Sequence, residues 1–279
     1  MITASEERFL ATHAYVPEHL PGYVTAISKA EPHLLGDYVC YRATDFLTFI
    51  GYPLRSPFDE QTMLETLRSA TSRFRPSHVA LTAPAISLLR EAASEHQTDF
   101  YYRLALGPVS IPPGVQNMVR RGSRELQVEV SREIGEEHTQ LIREFLKLPQ
   151  LSQEARHILE RVPAYVADVP TALVFSARDR TGTLVAFDVA EFAGGEYAFY
   201  QFNFRSRARH VPGASDLLLH QVIVTARRQG KIFLNLGLGI NEGVAHFKRK
   251  WGGVPFLAYA ACRYEPAPRM SLDAFLQKL

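Results

Sequence analysis

Apolar and polar positions alternate in short blocks through the second half of the chain. Three blocks, at 171–177, 183–192 and 196–204, are rich in β-branched and aromatic residues and are separated by turn sequences at 179–182 and 193–195. Blocks of this length divided by glycine-containing turns predict an antiparallel meander of three strands.

The rest of this half alternates between helical and strand patterns. After the meander we expect a helix at 214–229, a short apolar strand at 231–236 and a helix that starts at Asn241. Asn241 is suited to cap that helix because its side-chain amide can accept hydrogen bonds from the first turn. The remaining predicted elements are a strand at 126–133, helices at 136–148 and 152–162, and a last strand at 255–264.

The first half has a similar but shorter pattern. It predicts a hairpin at 38–42 and 46–50, a helix at 60–72, a strand at 78–81, a helix at 85–95 and a strand at 100–106. This order matches the last six elements of the second half, although no residue-level repeat is visible. The prolines of 107–114, which block helix and central strand, mark the join, and a basic helix around 117–124 follows it.

Composition narrows the class of protein only slightly. The 279 residues suit two small domains that share a core, 46% of them are apolar, and the net charge of +2 does not by itself indicate a nucleic-acid or membrane partner. Cys40 and Cys262 form no metal or redox motif and are expected to be buried thiols. The first residues lack a signal-peptide pattern, and no uncharged apolar run reaches the roughly 18 residues of a spanning helix, so we expect a cytoplasmic protein without membrane insertion.

The stretch from Gly230 to Gly253 is the most informative part of the sequence. Its strand, its loop with two glycines, its Asn-capped helix and its Gly-Gly stop resemble the end of the acyl-carrier site in GNAT N-acyltransferases. Phe247 and Lys248 followed by Trp-Gly-Gly are similar to the Fem-type branch of that superfamily, which includes aminoacyl-tRNA-dependent transferases. The predicted order of elements over 115–264 is also the order of a GNAT domain.

This resemblance implies a fold and a division of the chain. We expect an α/β (α+β) protein of two GNAT-like halves, each a mixed, mainly antiparallel sheet flanked by helices. The N-terminal half, 1–111, is truncated, and the C-terminal half, 112–279, carries the catalytic site.

The residues around 207–215 are candidates for binding the phosphates of an acyl donor. Phosphate is held well by the free N–H groups at the start of a helix. Arg207 and Arg209 supply positive charge there, while Gly213, Ala214 and Ser215 let the backbone approach a ligand. The GNAT pyrophosphate loop has the pattern Arg/Gln-x-x-Gly-x-Gly/Ala, and this loop is one residue longer. The alternative is an ordinary capped helix after a polar loop.

Lys248 takes the place of the tyrosine that commonly protonates the leaving thiolate in GNAT enzymes. Fem-type enzymes carry a lysine in this Phe-Lys context, so the resemblance assigns Lys248 a catalytic role and places Asn241 in the donor site. A lysine ammonium can stabilise an oxyanion or a phosphate, or donate a proton if its pKa is lowered. The alternative is a solvated lysine in the basic run 248–250.

Polar residues on the meander are candidates for the acceptor side. Asp188 and Glu191 interrupt apolar strands and could accept a proton from an attacking amine, or simply face solvent. Tyr200 and Asn203 lie on the strand that GNAT folds splay open, but strict alternation would place them on opposite faces. His246 is expected to be a bystander.

These features favour an N-acyltransferase that moves an acyl group from acyl-CoA to an amine of a small molecule, peptide or protein. One alternative is a Fem-type transferase that uses aminoacyl-tRNA as its co-substrate, and another is a GNAT-shaped binding module whose site has decayed. We expect no tightly bound cofactor and no metal, since attack of a neutral amine is helped mainly by positioning and oxyanion stabilisation.

Overall fold

The computed structural model describes residues 2–87, 95–107 and 111–266. The helices are α1 (Ala4–His13), α2 (Pro21–Ser28), α3 (Glu60–Phe74), α4 (Pro113–Glu125), α5 (Glu136–Leu146), α6 (Gln153–Glu160), α7 (Val162–Asp168), α8 (Ala214–Arg228) and α9 (Glu242–Lys250), and a 3-10 turn spans Pro17–His19. The strands are β1 (Glu31–Leu35), β2 (Tyr38–Ala43), β3 (Phe46–Ile50), β4 (His78–Ala83), β5 (Glu95–Ala105), β6 (Leu126–Ser131), β7 (Ala172–Asp179), β8 (Leu184–Glu191), β9 (Tyr197–Arg205), β10 (Phe233–Leu238) and β11 (Val254–Tyr264).

All eleven strands belong to one sheet, in the order β1-β2-β3-β4-β11-β5-β10-β9-β8-β7-β6. β3 pairs with β4 and β9 pairs with β10 in parallel, while the other neighbours in the described residues are antiparallel. The predicted α/β fold with a mixed, mainly antiparallel sheet flanked by helices is therefore confirmed.

The two halves of the chain share this sheet through an exchanged strand. β11, near the end of the second half, lies between β4 and β5 of the first half and pairs with both. The other edge of β5 pairs with β10. The division into 1–111 and 112–279 stays a prediction, but hydrogen bonds cross it on both edges of β5.

Helices cover both faces of the sheet. The face covered by α3, α4, α8 and α9 is called the α8 face, and it holds the largest apolar cluster, centred on α8. The opposite face, covered by α1, α2, α5 and α7, is called the α2 face. Apolar side chains from alternate strand positions fill both layers, so the strands are buried on two sides.

Most predicted elements of the second half are present within a few residues. The strand predicted at 231–236 spans Phe233–Leu238, and the helix predicted at 152–162 is two helices, α6 and α7. Pro163 explains the break, because a proline cannot continue a helical hydrogen-bond ladder but fits the first turn of a new helix. No helix in the described ranges is both long and apolar enough to cross a bilayer.

The prediction was less complete for the first half. The hairpin β2–β3, helix α3 and strands β4 and β5 are confirmed, whereas α1, the 3-10 turn, α2 and β1 were not predicted. Most of the helix predicted at 85–95 lies outside the described residues, and its last position, Glu95, begins β5.

Candidate functional site

The sheet opens between two parallel neighbours, β9 and β10. Their pairing covers 197–199 on β9 and 233–235 on β10, and the strands diverge beyond these residues. The rest of β9, from Tyr200 to Arg205, therefore faces a split on its β10 side. Backbone groups along such a split are available to a ligand, since they have no partner from the neighbouring strand.

A bulge in β10 shapes the mouth of this split. The register against β5 shifts between Asn235 and Gly237, and the Asn235 side chain accepts a hydrogen bond from the Gly237 N–H at 2.8 Å. Gly237 has a φ of 77°, a conformation that glycine adopts without strain. A Cβ on Gly237 would lie 3.6 Å from the Lys248 Nζ and 3.8 Å from the Tyr200 carbonyl oxygen. Gly237, Lys248 and Tyr200 therefore converge at one point.

Lys248 is buried at this point, with 4% of its surface exposed. Its ammonium donates a hydrogen bond to the Leu238 carbonyl oxygen and lies 5.8 Å from the centre of the Tyr102 ring. Burial lowers the pKa of Lys248 to about 7, and the negative charge of Asp99 opposes this shift. The alternative of a solvated lysine is thus wrong.

Contacts at both ends of α9 fix the position of Lys248. Asn241 caps the helix as predicted, since its side chain accepts a hydrogen bond from the Val244 N–H at 3.0 Å. At the other end, Asp216 of α8 forms a salt bridge with Lys250 at 2.7 Å and accepts a hydrogen bond from the Trp251 indole at 2.9 Å. Charge-assisted bonds of this kind hold a helix end in a defined place.

Asp99 of β5 is a site residue that the sequence did not reveal. Its carboxylate accepts hydrogen bonds from the Phe100 N–H at 2.6 Å and the Ile240 N–H at 2.7 Å. Ile240 has a φ of 59°, which is strained for a β-branched residue. Asp99 stabilises this turn directly before α9, so a residue of the first half positions the helix that carries Lys248.

A second buried polar group lies on the same face of the sheet. Asp188 is fully buried, and the Asn203 side-chain amide donates a hydrogen bond to it at 2.5 Å. Ser215 of α8 donates in turn to the Asn203 oxygen at 3.5 Å. Burial raises the pKa of Asp188 to about 7, while Asn203 and Tyr200 oppose the shift.

Tyr200 completes this cluster. Its hydroxyl and the second oxygen of Asp188 are both buried without a hydrogen-bond partner among the described residues. Burial and the charge of Asp188 raise the pKa of Tyr200 well above its ordinary value, so the hydroxyl stays protonated. Tyr200 and Asn203 share a face because β9 bulges between them, where Gln201 has no partner in β8. Simple alternation gave the wrong arrangement.

Glu191 does not join these residues. It lies on the α2 face, where it accepts a hydrogen bond from the Tyr165 hydroxyl at 2.7 Å. The backbone N–H groups of Phe192 and Ala193 donate to its other oxygen at 2.9 and 3.0 Å. These three donors account for its burial, and neither Asp188 nor Glu191 faces solvent.

The candidate phosphate loop is only partly open. Arg207 is exposed, and Arg209 forms a salt bridge with Asp179 at 2.7 Å. Gly213 and Ala214 are buried against α4. Gly213 has a φ of 86°, and a Cβ there would collide with the Met118 carbonyl oxygen.

Ser215 is the reachable residue at the start of α8. It is half-buried, and its side chain points toward the Asp188 and Asn203 cluster. A crevice of about 410 Å³ runs beside the loop and is lined in part by Ser206, Ala208 and Arg209. A groove of about 430 Å³ on α4 is lined by Asn117, Arg120, Arg121, Arg124 and Glu125.

Comparison with solved structures identifies the architecture. FemX matches over 93% of this chain and 96% of its own, with a TM-score of 0.60 and 10% identity. L-PGS from Bacillus licheniformis matches over 95% and 97%, with a TM-score of 0.55 and 14% identity. A tandem GNAT protein from the clavulanic acid biosynthesis pathway matches over 96% and 97%, with a TM-score of 0.55 and 12% identity.

The chain has the GNAT fold. At identities of 10–14% the likeness concerns the fold alone. No protein-family model and no curated protein matches the sequence. The GNAT fold nevertheless agrees with the resemblance drawn from 230–253, because that stretch forms β10, the glycine loop and α9 at the split.

Proposed function

We propose that this protein is an N-acyltransferase that moves an acyl group from acyl-CoA to the amine of a small molecule, peptide or protein. One observation carries the proposal: Lys248 is buried at the split between β9 and β10 with a pKa of about 7. A lysine in that state gives up a proton readily at neutral pH, which suits a group that assists a leaving thiolate.

The reaction needs two proton transfers, and the α8 face offers a group for each. The amine nitrogen attacks the acyl carbon, a C–N bond forms, and the bond from that carbon to the sulfur of CoA breaks. The Asp188 carboxylate takes one proton from the amine, and the Lys248 ammonium gives one to the thiolate. A proton then returns from Asp188 to Lys248 through solvent. Until the C–S bond breaks, the Lys248 charge also stabilises the oxyanion.

The proposed roles predict a rate maximum near neutral pH. Asp188 and Lys248 both have pKa values of about 7. Below this pH the carboxylate is protonated and cannot accept the amine proton, and above it the ammonium is lost. The rate should therefore fall on both sides of neutral pH. Lys248→Met should remove the alkaline limb together with most of the rate, roughly a hundredfold.

The donor phosphates are proposed to lie at the first turn of α8. Ser215 is the accessible position there, and Arg207 is exposed beside it. Because Gly213 and Ala214 pack against α4, we assign them the role of bringing the helix start close to the ligand through backbone atoms. Asn241 is assigned to the opposite side of the split, where it caps α9.

A second candidate is transfer of an aminoacyl group from aminoacyl-tRNA. The observation in its favour is the α4 groove, in which Arg120, Arg121 and Arg124 line one exposed surface. Several arginines along a helix suit repeated contacts with a nucleic-acid backbone. In this case the broken bond joins the acyl carbon to a ribose oxygen, and Lys248 protonates that oxygen.

Native mass spectrometry of the freshly purified protein is the first test of the donor. Co-purified CoA or acyl-CoA supports the first candidate, and co-purified tRNA supports the second. A protein that carries neither and transfers no acyl group from either donor would be a binding module, and the proposed activity would be wrong.

Two matched serine variants then separate the donors in binding titrations. Ser215→Asp places a negative charge at the start of α8 and should weaken acyl-CoA binding by at least about tenfold. Ser123→Asp places the same charge beside the α4 arginines and should weaken tRNA instead, with a salt dependence of roughly 0.7–0.9 per lost phosphate contact. Equal acyl-CoA affinity in native protein and Ser215→Asp would contradict this placement of the donor.

A further inference from the structure

The α2 face of the split holds a carboxylate that the proposed chemistry has not used. Glu18 lies in the 3-10 turn between α1 and α2, and it is half-buried. The Tyr101 hydroxyl donates a hydrogen bond to its side chain at 2.9 Å, and the Tyr41 hydroxyl donates to its backbone oxygen at 2.8 Å. Its position is therefore fixed from β5 and β2.

Five tyrosines surround this carboxylate. The charge of Glu18 raises the pKa of each, in addition to the effect of burial, so all five hydroxyls remain protonated. They are Tyr23, Tyr41, Tyr52, Tyr101 and Tyr259. The Tyr101 ring stands edge-on to both Tyr52 and Tyr259, with ring centres 5.9 and 5.7 Å away.

No cation balances Glu18 within the described part of the chain. The neighbouring His19 is buried, and its Nδ1 accepts the Tyr15 N–H while its Nε2 faces the Tyr52 carbonyl oxygen at 2.9 Å. Burial lowers the pKa of His19 to about 4, so it is neutral at physiological pH. A carboxylate enclosed by aromatic rings without a counter-ion is unfavourable unless a cation is supplied from outside.

The position of this cluster connects it to the split. Tyr101 pairs with Leu238 of β10, whose carbonyl oxygen accepts the hydrogen bond from Lys248. On the other side, the Tyr23 ring contacts Phe202 of β9, with ring centres 6.4 Å apart. The cluster thus spans the two diverging strands on the α2 face, while Lys248 lies on the α8 face.

We propose that Glu18 and its tyrosines form the binding site for the cationic amine of the acceptor, a primary alkylammonium group. An ammonium would pair with Glu18 and lie against tyrosine rings, an environment that attracts cations through their π faces. Glu18, Tyr23 and Tyr259 are the half-buried members, so the ligand reaches the cluster from their side. This inference deepens the proposed acyl transfer and rests on it only in naming the ligand as the acceptor.

Direct binding of a simple probe tests the site without any acyl donor. n-Butylammonium and n-butanol have the same length and differ in charge, and both can be followed by calorimetry or ligand-observed NMR. Native protein should bind n-butylammonium at least about tenfold more tightly than n-butanol. Glu18→Gln, which keeps an oxygen for the Tyr101 hydroxyl, should lose that preference, and Glu65→Gln on the exposed side of α3 should retain it.

Thermal unfolding verifies that Glu18→Gln is folded, and the native protein supplies an independent measurement. n-Butylammonium should bind more weakly as the pH falls from 8 to 5, because burial raises the pKa of Glu18 above its usual value and protonation removes its charge. A charge preference that survives in Glu18→Gln, or that is constant over this pH range, would overturn the inference.

A transfer assay then separates this inference from the proposed function. With n-butylamine as acceptor, Glu18→Gln should raise the KM for the amine by at least about tenfold and change kcat less. If transfer proceeds with an unchanged KM, the inference is wrong and the proposed function stands. If no donor supports transfer but n-butylammonium binding depends on Glu18, the function is wrong and the cation site stands.

Discussion

The buried lysine at the split leads to a prediction about stability that needs no knowledge of the substrate. Replacing Lys248 by methionine keeps a long side chain and removes the titrating group. In the native protein the unfolded chain binds a proton at this position up to its ordinary pKa of 10.5, whereas the folded chain releases it near pH 7. Between these values the unfolded state holds more protons, so stability rises with pH.

The size of the effect follows from the two pKa values. Moving the Lys248 pKa from 10.5 to about 7 corresponds to roughly 5 kcal/mol of penalty for the buried ammonium, present in full below pH 7. Most of this penalty disappears by pH 10, so native protein should gain about 4 kcal/mol relative to Lys248→Met between pH 6 and pH 10. The variant also loses the hydrogen bond to the Leu238 carbonyl oxygen, about 1 kcal/mol, which shifts the whole difference curve by a constant.

Urea unfolding from pH 6 to pH 10 measures this difference. Trp251 is the single tryptophan, it is buried beside α8, and its fluorescence reports the unfolding transition. A matched control is Lys147→Met, which removes an exposed lysine at the end of α5. Its difference from native protein should stay constant over this pH range, since an exposed side chain loses little hydration on folding.

A flat difference curve for Lys248→Met would refute the reasoning. It would mean that Lys248 keeps its ordinary pKa in the folded protein. The proposed proton transfer from Lys248 at neutral pH would then lose its basis, even if the fold were otherwise unchanged.

Three further predictions concern the surroundings of the site. Asp99→Asn should lower the pH midpoint of the Lys248-dependent stability, because the Asp99 charge raises the Lys248 pKa; an unchanged midpoint in the same urea series would exclude this coupling. Gly213→Ala should destabilise the protein by at least about 2 kcal/mol, since a Cβ there collides with the α4 backbone and its φ is 86°; a normal melting temperature would contradict that packing. A fragment spanning 112–279 should be poorly soluble or partly unfolded, because β11 loses both of its neighbours; a stable, monomeric and active fragment would disprove the shared sheet.

The sequence predicted the architecture of the second half because its signals are local. Glycine-bounded apolar blocks define the meander, and Asn241 starts α9 by a cap that acts within three residues. The resemblance carried by 230–253 pointed to Lys248 at the functional site. These patterns depend on neighbours in sequence, so they can be recognised without the fold.

The sequence could not predict what depends on distant contacts. The role of Asp99 arises from pairing between β5 and β10, which brings it to Ile240, 141 positions later in the chain. The bulge at Gln201 has no glycine or proline to mark it, yet it decides that Tyr200 joins Asp188. Glu18 lies in a segment with weak periodicity, and its tyrosine partners come from α2, the β3–α3 connection and three strands.

The exchanged strand has a consequence for the protein during its synthesis. β4 and β5 leave the ribosome long before 254–264, so the inner edge of β4 and both edges of β5 wait unpaired while the second half is made. Open edges of this kind invite pairing with other chains, which makes a nascent-chain chaperone useful over this interval. The stretch that closes these edges is also the stretch that delivers Lys248. A prematurely released chain therefore lacks a finished sheet and a finished site together, and quality-control proteases can recognise it by its open edges before any half-built site accumulates.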